Sequence, residues 1–221
     1  MAEDGRRVAF ERSVMMTGRP FLAHALVLGA TLLAAAPSPA EAADERRADV
    51  ALEFAATRYG EFDETGMGFG ARVSYRALEW LAVDGGLVFS PGALGGQVAF
   101  SGSQLEGLFG VRAGPRLGEA SVFGSLRAGF VSFAGAPEPI ACIAIFPPPL
   151  GCVLAEGDTA FALNFGAGGE FPLGERVLVR LEAGDLLINY PGPALTRDEA
   201  VLDESFWRHN FRAAVSVAFR F

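Results

Sequence analysis

Residues 66–77 read GMGFGARVSYRA, and in this stretch Met67, Phe69, Ala71, Val73 and Tyr75 are apolar while Gly68, Gly70, Arg72, Ser74 and Arg76 are small or polar. Side chains that alternate with a period of two belong to a strand with one apolar face. The pattern returns at the other end of the chain. In HNFRAAVSVAFRF, residues 209–221, Phe211, Ala213, Val215, Val217, Phe219 and Phe221 alternate with Arg212, Ala214, Ser216, Ala218 and Arg220. Between them, Phe161, Leu163, Phe165 and Ala167 alternate with Ala162, Asn164, Gly166 and Gly168, and Val177, Val179, Leu181 and Ala183 alternate with Leu178, Arg180, Glu182 and Gly184.

Extended along the chain, this reading predicts eight strands, near 49–59, 66–77, 81–89, 104–116, 121–133, 159–171, 177–190 and 208–221. The connections between them sort by parity. GEFDET and the stretches 90–103, 134–158 and 191–207 are mostly long, whereas 78–80, 117–120 and 172–176 are short. Tight turns at one end and larger loops at the other are what an up-and-down transmembrane barrel produces. The expected fold is therefore all-β, an eight-stranded antiparallel barrel.

Composition decides which face of the barrel is apolar. Hydrophobic residues make up 51% of the 221 residues and mean hydropathy is +0.30, yet no apolar run after residue 42 approaches the ~20 residues of a spanning helix. A soluble lipocalin-like barrel would turn its bulky residues inward and cover its outside with ordinary charge. Here the non-apolar face is Gly, Ala, Ser and Arg with scattered acid. Such a face packs a narrow lumen well and covers a water-facing surface poorly. The Phe, Val and Leu face is read as the outside, toward lipid, because exposed patches of that size on a soluble monomer would aggregate.

Inward parity then places Glu53, Arg72, Asp84, Arg112, Arg127, Arg180 and Glu182 in the lumen. Eight strands leave room for side chains and little else. Opposite charges confined there must pair, so they are expected to form a salt-bridge network that fills the barrel. Asp185 departs from the pattern. Either it sits above the lipid at the outer rim, or a bulge at Gly184 flips the phase so that Leu186 and Ile188 face out. Trp80, Tyr59, Tyr190 and Trp207 lie near strand ends, where interfacial aromatic girdles are expected.

Residues 1–42 read as a secretory signal. Arg19 precedes the apolar run Phe21–Ala36, and Ala40-Glu41-Ala42 is an A-x-A-like cleavage site. Residues 43–221 are left as one barrel domain, in an oxidising compartment. The two cysteines, Cys142 and Cys152, share the Pro-rich segment PEPIACIAIFPPPLGCVLAEGD and are expected to form a disulfide. Closing so short a loop restricts the unfolded chain by ~3 kcal/mol in the chain-entropy model.

The net charge is −8, and all 18 basic residues are Arg, an acidic balance that argues against nucleic acid. Acid gathers in the expected outer loops, at Glu61, Asp63, Glu64, Glu138, Glu156, Asp158, Asp198, Glu199, Asp203 and Glu204, against Arg197 alone. A solvated, repelling surface is the plain reading, and divalent-cation bridging to lipopolysaccharide phosphates is the sharper one. No P-loop, GxSxG, HExxH or CxxC is present, and no cofactor or metal is expected.

These features together resemble small outer-membrane β-barrel proteins of the OmpA/OmpX-like type. The terminal strand HNFRAAVSVAFRF carries the resemblance most specifically, and VRLEAGDLLINY (residues 179–190) looks like the Arg-x-Glu-x-x-Asp strand of that broad group. The resemblance implies an outer-membrane location and a barrel without a periplasmic domain. It also implies that Val215, Val217, Phe219 and Phe221 are the signal read by the barrel-assembly machinery. A monomer embedded in outer-membrane lipid and lipopolysaccharide is expected, in a structural or surface-interaction role without catalysis. Three other readings stay open: a small pore, a lipid A hydrolase and a soluble periplasmic binder. Some barrel deacylases of lipid A use a His and a Ser near the last strand. Ser205 and Ser216 lie near His209 but do not reproduce the close His-x-Ser spacing.

Overall fold

The computed structural model describes residues 47–92, 94–95, 99–135 and 146–221. The proposed signal segment, Glu138 and Cys142 lie outside the described residues. Eight strands form the body: β1 Ala48–Tyr59, β2 Glu64–Leu78, β3 Leu81–Ser90, β4 Gln104–Ala113, β5 Ala120–Phe133, β6 Asp158–Pro172, β7 Val177–Tyr190 and β8 Phe206–Arg220. Each pairs antiparallel with its sequence neighbour. β1 also pairs with β8, from Asp49↔Arg220 to Tyr59↔Asn210, and so closes the cylinder. Closure removes the sheet edges, whose unpaired N–H and C=O groups could not be tolerated in lipid.

The period of two runs through every wall. On β1, Asp49, Ala51, Glu53, Ala55, Thr57 and Tyr59 are buried, while Val50, Leu52 and Phe54 are exposed, Leu52 by 74%. On β8, Asn210, Arg212, Ser216 and Ala218 are buried, and Phe211, Val215, Val217 and Phe219 are exposed. This inverts a soluble protein, since the bulky apolar side chains stand outside. The abundant glycine has a matching cause on the inner wall. A Cβ on Gly70 would sit 1.8 Å from the Leu87 carbonyl oxygen, and one on Gly129 would sit 1.8 Å from that of Gly107. Neighbouring strands of a tightly curved sheet approach too closely at these points for any side chain.

The fourth strand ends at Ala113, short of the predicted 116. Arg116–Leu117 forms a two-residue piece that pairs with the start of β5, turning at Gly118 with φ +68. A left-handed residue is strained for anything with a Cβ, which places Gly there.

The connections at the opposite end do not behave as solvated loops. Phe62 precedes β2, and Leu94 and Phe100 bridge each other in the next connection. A short helix, α1 (Leu150–Ala155), occupies the third, and Ala194–Leu195 pairs with Val201–Leu202 in the fourth. Their apolar residues pack on inward-facing Leu108, Val131, Phe133, Leu186, Ile188, Tyr59 and Tyr190 in one buried cluster. Tyr59 and Tyr190 are thus lumen residues, 3% and 0% exposed, and not girdle residues as their positions near strand ends suggested. Trp80 and Trp207 do face out. Strand parity decides this: a residue near an end belongs to a girdle only on the outward face.

β7 keeps its phase. Leu178, Arg180, Glu182, Leu186, Ile188 and Tyr190 all point inward, so no bulge at Gly184 turns Leu186 and Ile188 out, and Asp185 stays on the outer wall. The acidic loops also have more cationic partners than Arg197. Arg58 and Arg197 both pair with Asp63, and Arg208 bridges Glu61 and Asp198.

Candidate functional site in the barrel lumen

Below the apolar cluster the lumen is filled with charge. All seven residues assigned to it from parity, Glu53, Arg72, Asp84, Arg112, Arg127, Arg180 and Glu182, are buried. Each is carried inward by the alternation of its own strand, and six of the eight strands, β1 to β5 and β7, supply them. Arg72 on β2 grips Glu53 with two nitrogens, Nε at 2.6 Å and Nη2 at 2.9 Å, and donates from Nη1 to Glu182 at 3.0 Å. Arg127 on β5 forks onto Asp84, Nε to Oδ1 at 2.6 Å and Nη2 to Oδ2 at 3.0 Å, and also donates to Glu182. Two arginines from distant strands therefore share Glu182, and Ser125 donates to it at 2.8 Å. Bidentate guanidinium–carboxylate geometry is the strong form of such pairing.

Arg112 and Arg180 do not join this waist group closely. Arg112 lies 3.5 Å from Asp84 but donates to Glu170, and Arg180 donates to Glu170 at 2.8 Å and to Asp49 at 3.2 Å. Sequence reading missed Asp49, Glu170, Glu106 and Arg212. Arg212 bonds Glu53 at 2.7 Å and Glu106 at 3.0 Å, continuing the network toward the loop end. All four have inward parity, so extending the same rule toward the strand ends would have found them.

The two layers meet at Tyr59, whose hydroxyl donates to Gln104 at 2.5 Å just where apolar packing gives way to charge. Ser216 is buried in the lumen, whereas His209 stands on the outside with 79% of its side chain exposed, so the barrel wall separates them. Among the described residues, no group of three or more His, Cys, Asp and Glu is placed to hold a metal ion. Cys152 sits in α1 and is not free, but its expected partner Cys142 lies outside the described residues.

The outer membrane protein beta-barrel domain model matches residues 25–219. Among solved structures, the chain is similar to Ail, the attachment invasion locus protein of Yersinia pestis, at 17% identity and a TM-score of 0.48, covering 79% of this chain and 98% of that one. It is also similar to the outer membrane protein OprG of Pseudomonas aeruginosa, at 12% identity and a TM-score of 0.46, covering 80% and 99%. Neisserial surface protein A is similar at 13% identity and a TM-score of 0.42, covering 79% and 96%. No curated protein matches by sequence. The chain belongs to the outer membrane protein beta-barrel domain family and resides in the cell outer membrane, where lipid covers the Phe, Val and Leu face that water would not tolerate.

Proposed function

We propose that this protein is a closed, non-conducting barrel with a structural or surface-interaction role in the outer membrane, and that it catalyses no reaction. One observation carries the reading: the lumen is sealed twice. Apolar residues from all four long connections fill the loop end, and paired guanidinium and carboxylate groups fill the waist. An ion crossing this lumen would have to separate buried pairs and then pass a dry apolar layer, each costing several kcal/mol.

Barrels of this class place short turns in the periplasm and longer loops outside, which puts the Arg58, Asp63, Arg197, Arg208 and Glu61 cluster at the cell surface. Outer-membrane lipid and lipopolysaccharide are the proposed surroundings of a monomer. Outward exposure of Val215, Val217, Phe219 and Phe221 supports their reading as the strand presented to the barrel-assembly machinery. A Cys142–Cys152 disulfide is proposed as a staple of the third outer connection, which α1 anchors over the lumen. The step from barrel to cellular role rests on the fold and not on a reactive site.

Purified protein in planar lipid bilayers should give no single-channel steps, and incubation with lipid A should release no fatty acid. Regular conductance steps would replace this reading with a pore. Hydrolysis that disappears in His209→Ala would replace it with an enzyme.

A further inference from the structure

The lumen is not neutral layer by layer. Around the waist, Arg72, Arg127 and Arg212 face Glu53, Asp84, Glu106 and Glu182, an excess of one negative charge. At the short-turn end the balance reverses. Arg112, Arg180 at 2.8 Å, Arg76 at 3.2 Å and Arg220 at 3.6 Å all converge on the single carboxylate of Glu170. The second acid there, Asp49, is shared by Arg180 at 3.2 Å and Arg112 at 3.5 Å. Four guanidinium groups thus surround two carboxylates.

Two further observations sit at the same end. Arg112 Nε and Arg180 Nη1 are buried without a hydrogen-bond partner, although buried guanidinium donors are ordinarily satisfied; Arg112 Nε faces Asp84 at 3.5 Å, and of the two residues only Arg112 lines the cavity at this end. A cavity of about 30 Å³ opens here, lined by Arg76, Arg112, Arg116, Ser121 and Glu170. It exceeds the ~10–15 Å³ that one water needs. It can take the oxygen edge of a small ion and is too small for a sugar or a nucleotide. Guanidinium forks match the oxygens of phosphate bidentately, while the Ser121 hydroxyl is already donated to Glu170 at 3.3 Å.

We propose that the periplasmic mouth of the barrel binds a small oxyanion of the phosphate class, held by Arg76, Arg112 and Arg116, which supplies the negative charge this end lacks. Its source is either free inorganic phosphate or the headgroup of a phospholipid in the periplasmic leaflet. Arg76 and Arg116 stand at the rim, so replacing them removes one of the four arginines on Glu170, which keeps Arg112, Arg180 and Arg220, and leaves the waist network in place.

Refolded barrel in a phosphate-free, uncharged detergent is titrated calorimetrically with inorganic phosphate in one arm and with a short-chain phosphatidylglycerol in another. Native migration on an unboiled gel confirms the fold of each variant. Saturable binding is expected, weakened at least tenfold in the R76Q/R116Q double variant and weakened by added salt. Binding in the phosphate arm identifies the free ion, and binding confined to the lipid arm identifies the headgroup. No saturable heat in either arm, or equal affinity in the double variant, would overturn the proposal.

Discussion

His209 and Asp185 are diagonal neighbours on β8 and β7 and face outward together, with His209 Nδ1 2.6 Å from Asp185 Oδ2. On β8 this pair lies between Trp207 of the aromatic girdle and Phe211 of the lipid-facing belt. An ionisable group on the lipid face costs more the deeper it sits, and pairing offsets that cost.

His209→Leu should therefore lower stability by about 1 kcal/mol by leaving Asp185 alone at the membrane interface. The D185L/H209L double variant should recover the loss, because two apolar groups replace two paired polar ones. Urea midpoints of folded protein in lipid vesicles would check this. Equal destabilisation in the single and double variants would mean that the contact carries nothing.

The waist network predicts a larger effect. Arg127→Gln takes from Asp84 its bidentate partner, leaving Arg112 at 3.5 Å and Arg72 at 3.8 Å, and removes one of the two arginines on Glu182, at a cost of about 3 kcal/mol. Arg72→Gln should act similarly through Glu53 and Glu182. Both should show lower temperatures of gel-shift unfolding than the parent protein, and unchanged temperatures in both would refute a stabilising network.

Tyr59 and Tyr190 make a matched contrast inside the apolar plug. The Tyr59 hydroxyl bonds Gln104, whereas that of Tyr190 is buried without a partner. Tyr59→Phe should cost about 1 kcal/mol. Tyr190→Phe should be neutral or stabilising, because it removes a desolvated hydroxyl that bonds nothing. The two variants are compared by the same unfolding midpoint, and a reversed order would contradict the assigned partners.

Wall curvature predicts which glycines are indispensable. Gly129→Ala would place a methyl 1.8 Å from a carbonyl oxygen across the strand pair and should prevent barrel closure. Gly92→Ala meets nothing within 4 Å and should fold as before. Migration of unboiled samples distinguishes the closed form from the open one.

The C-terminal strand gives a cellular prediction. Phe221→Ala should reduce the amount of protein assembled in outer membranes while leaving refolding in vitro nearly unchanged, since Phe221 is exposed at the rim. Equal yields of both proteins in isolated outer membranes would remove it from the assembly signal.

By itself the sequence determined the walls. A period of two fixes which side chains share a face, and the absence of any other home for Leu52, Phe69 or Val217 fixes that face as the outside. Strand number, loop parity and the inward position of Arg72 or Glu182 follow from that local geometry. Partner choice does not. Glu182 receives Arg72 and Arg127 across 110 and 55 residues of chain, and the stagger between strands on a closed cylinder decides those distances. The apolar plug was hidden for the same reason. Phe62, Leu94, Phe100 and Leu150 carry no periodic signal in their connections, and only closure of the barrel beneath them creates the dry surface on which they pack. Asp185 was legible as an exception, and its explanation required knowing that His209 on the next strand lies within hydrogen-bonding reach.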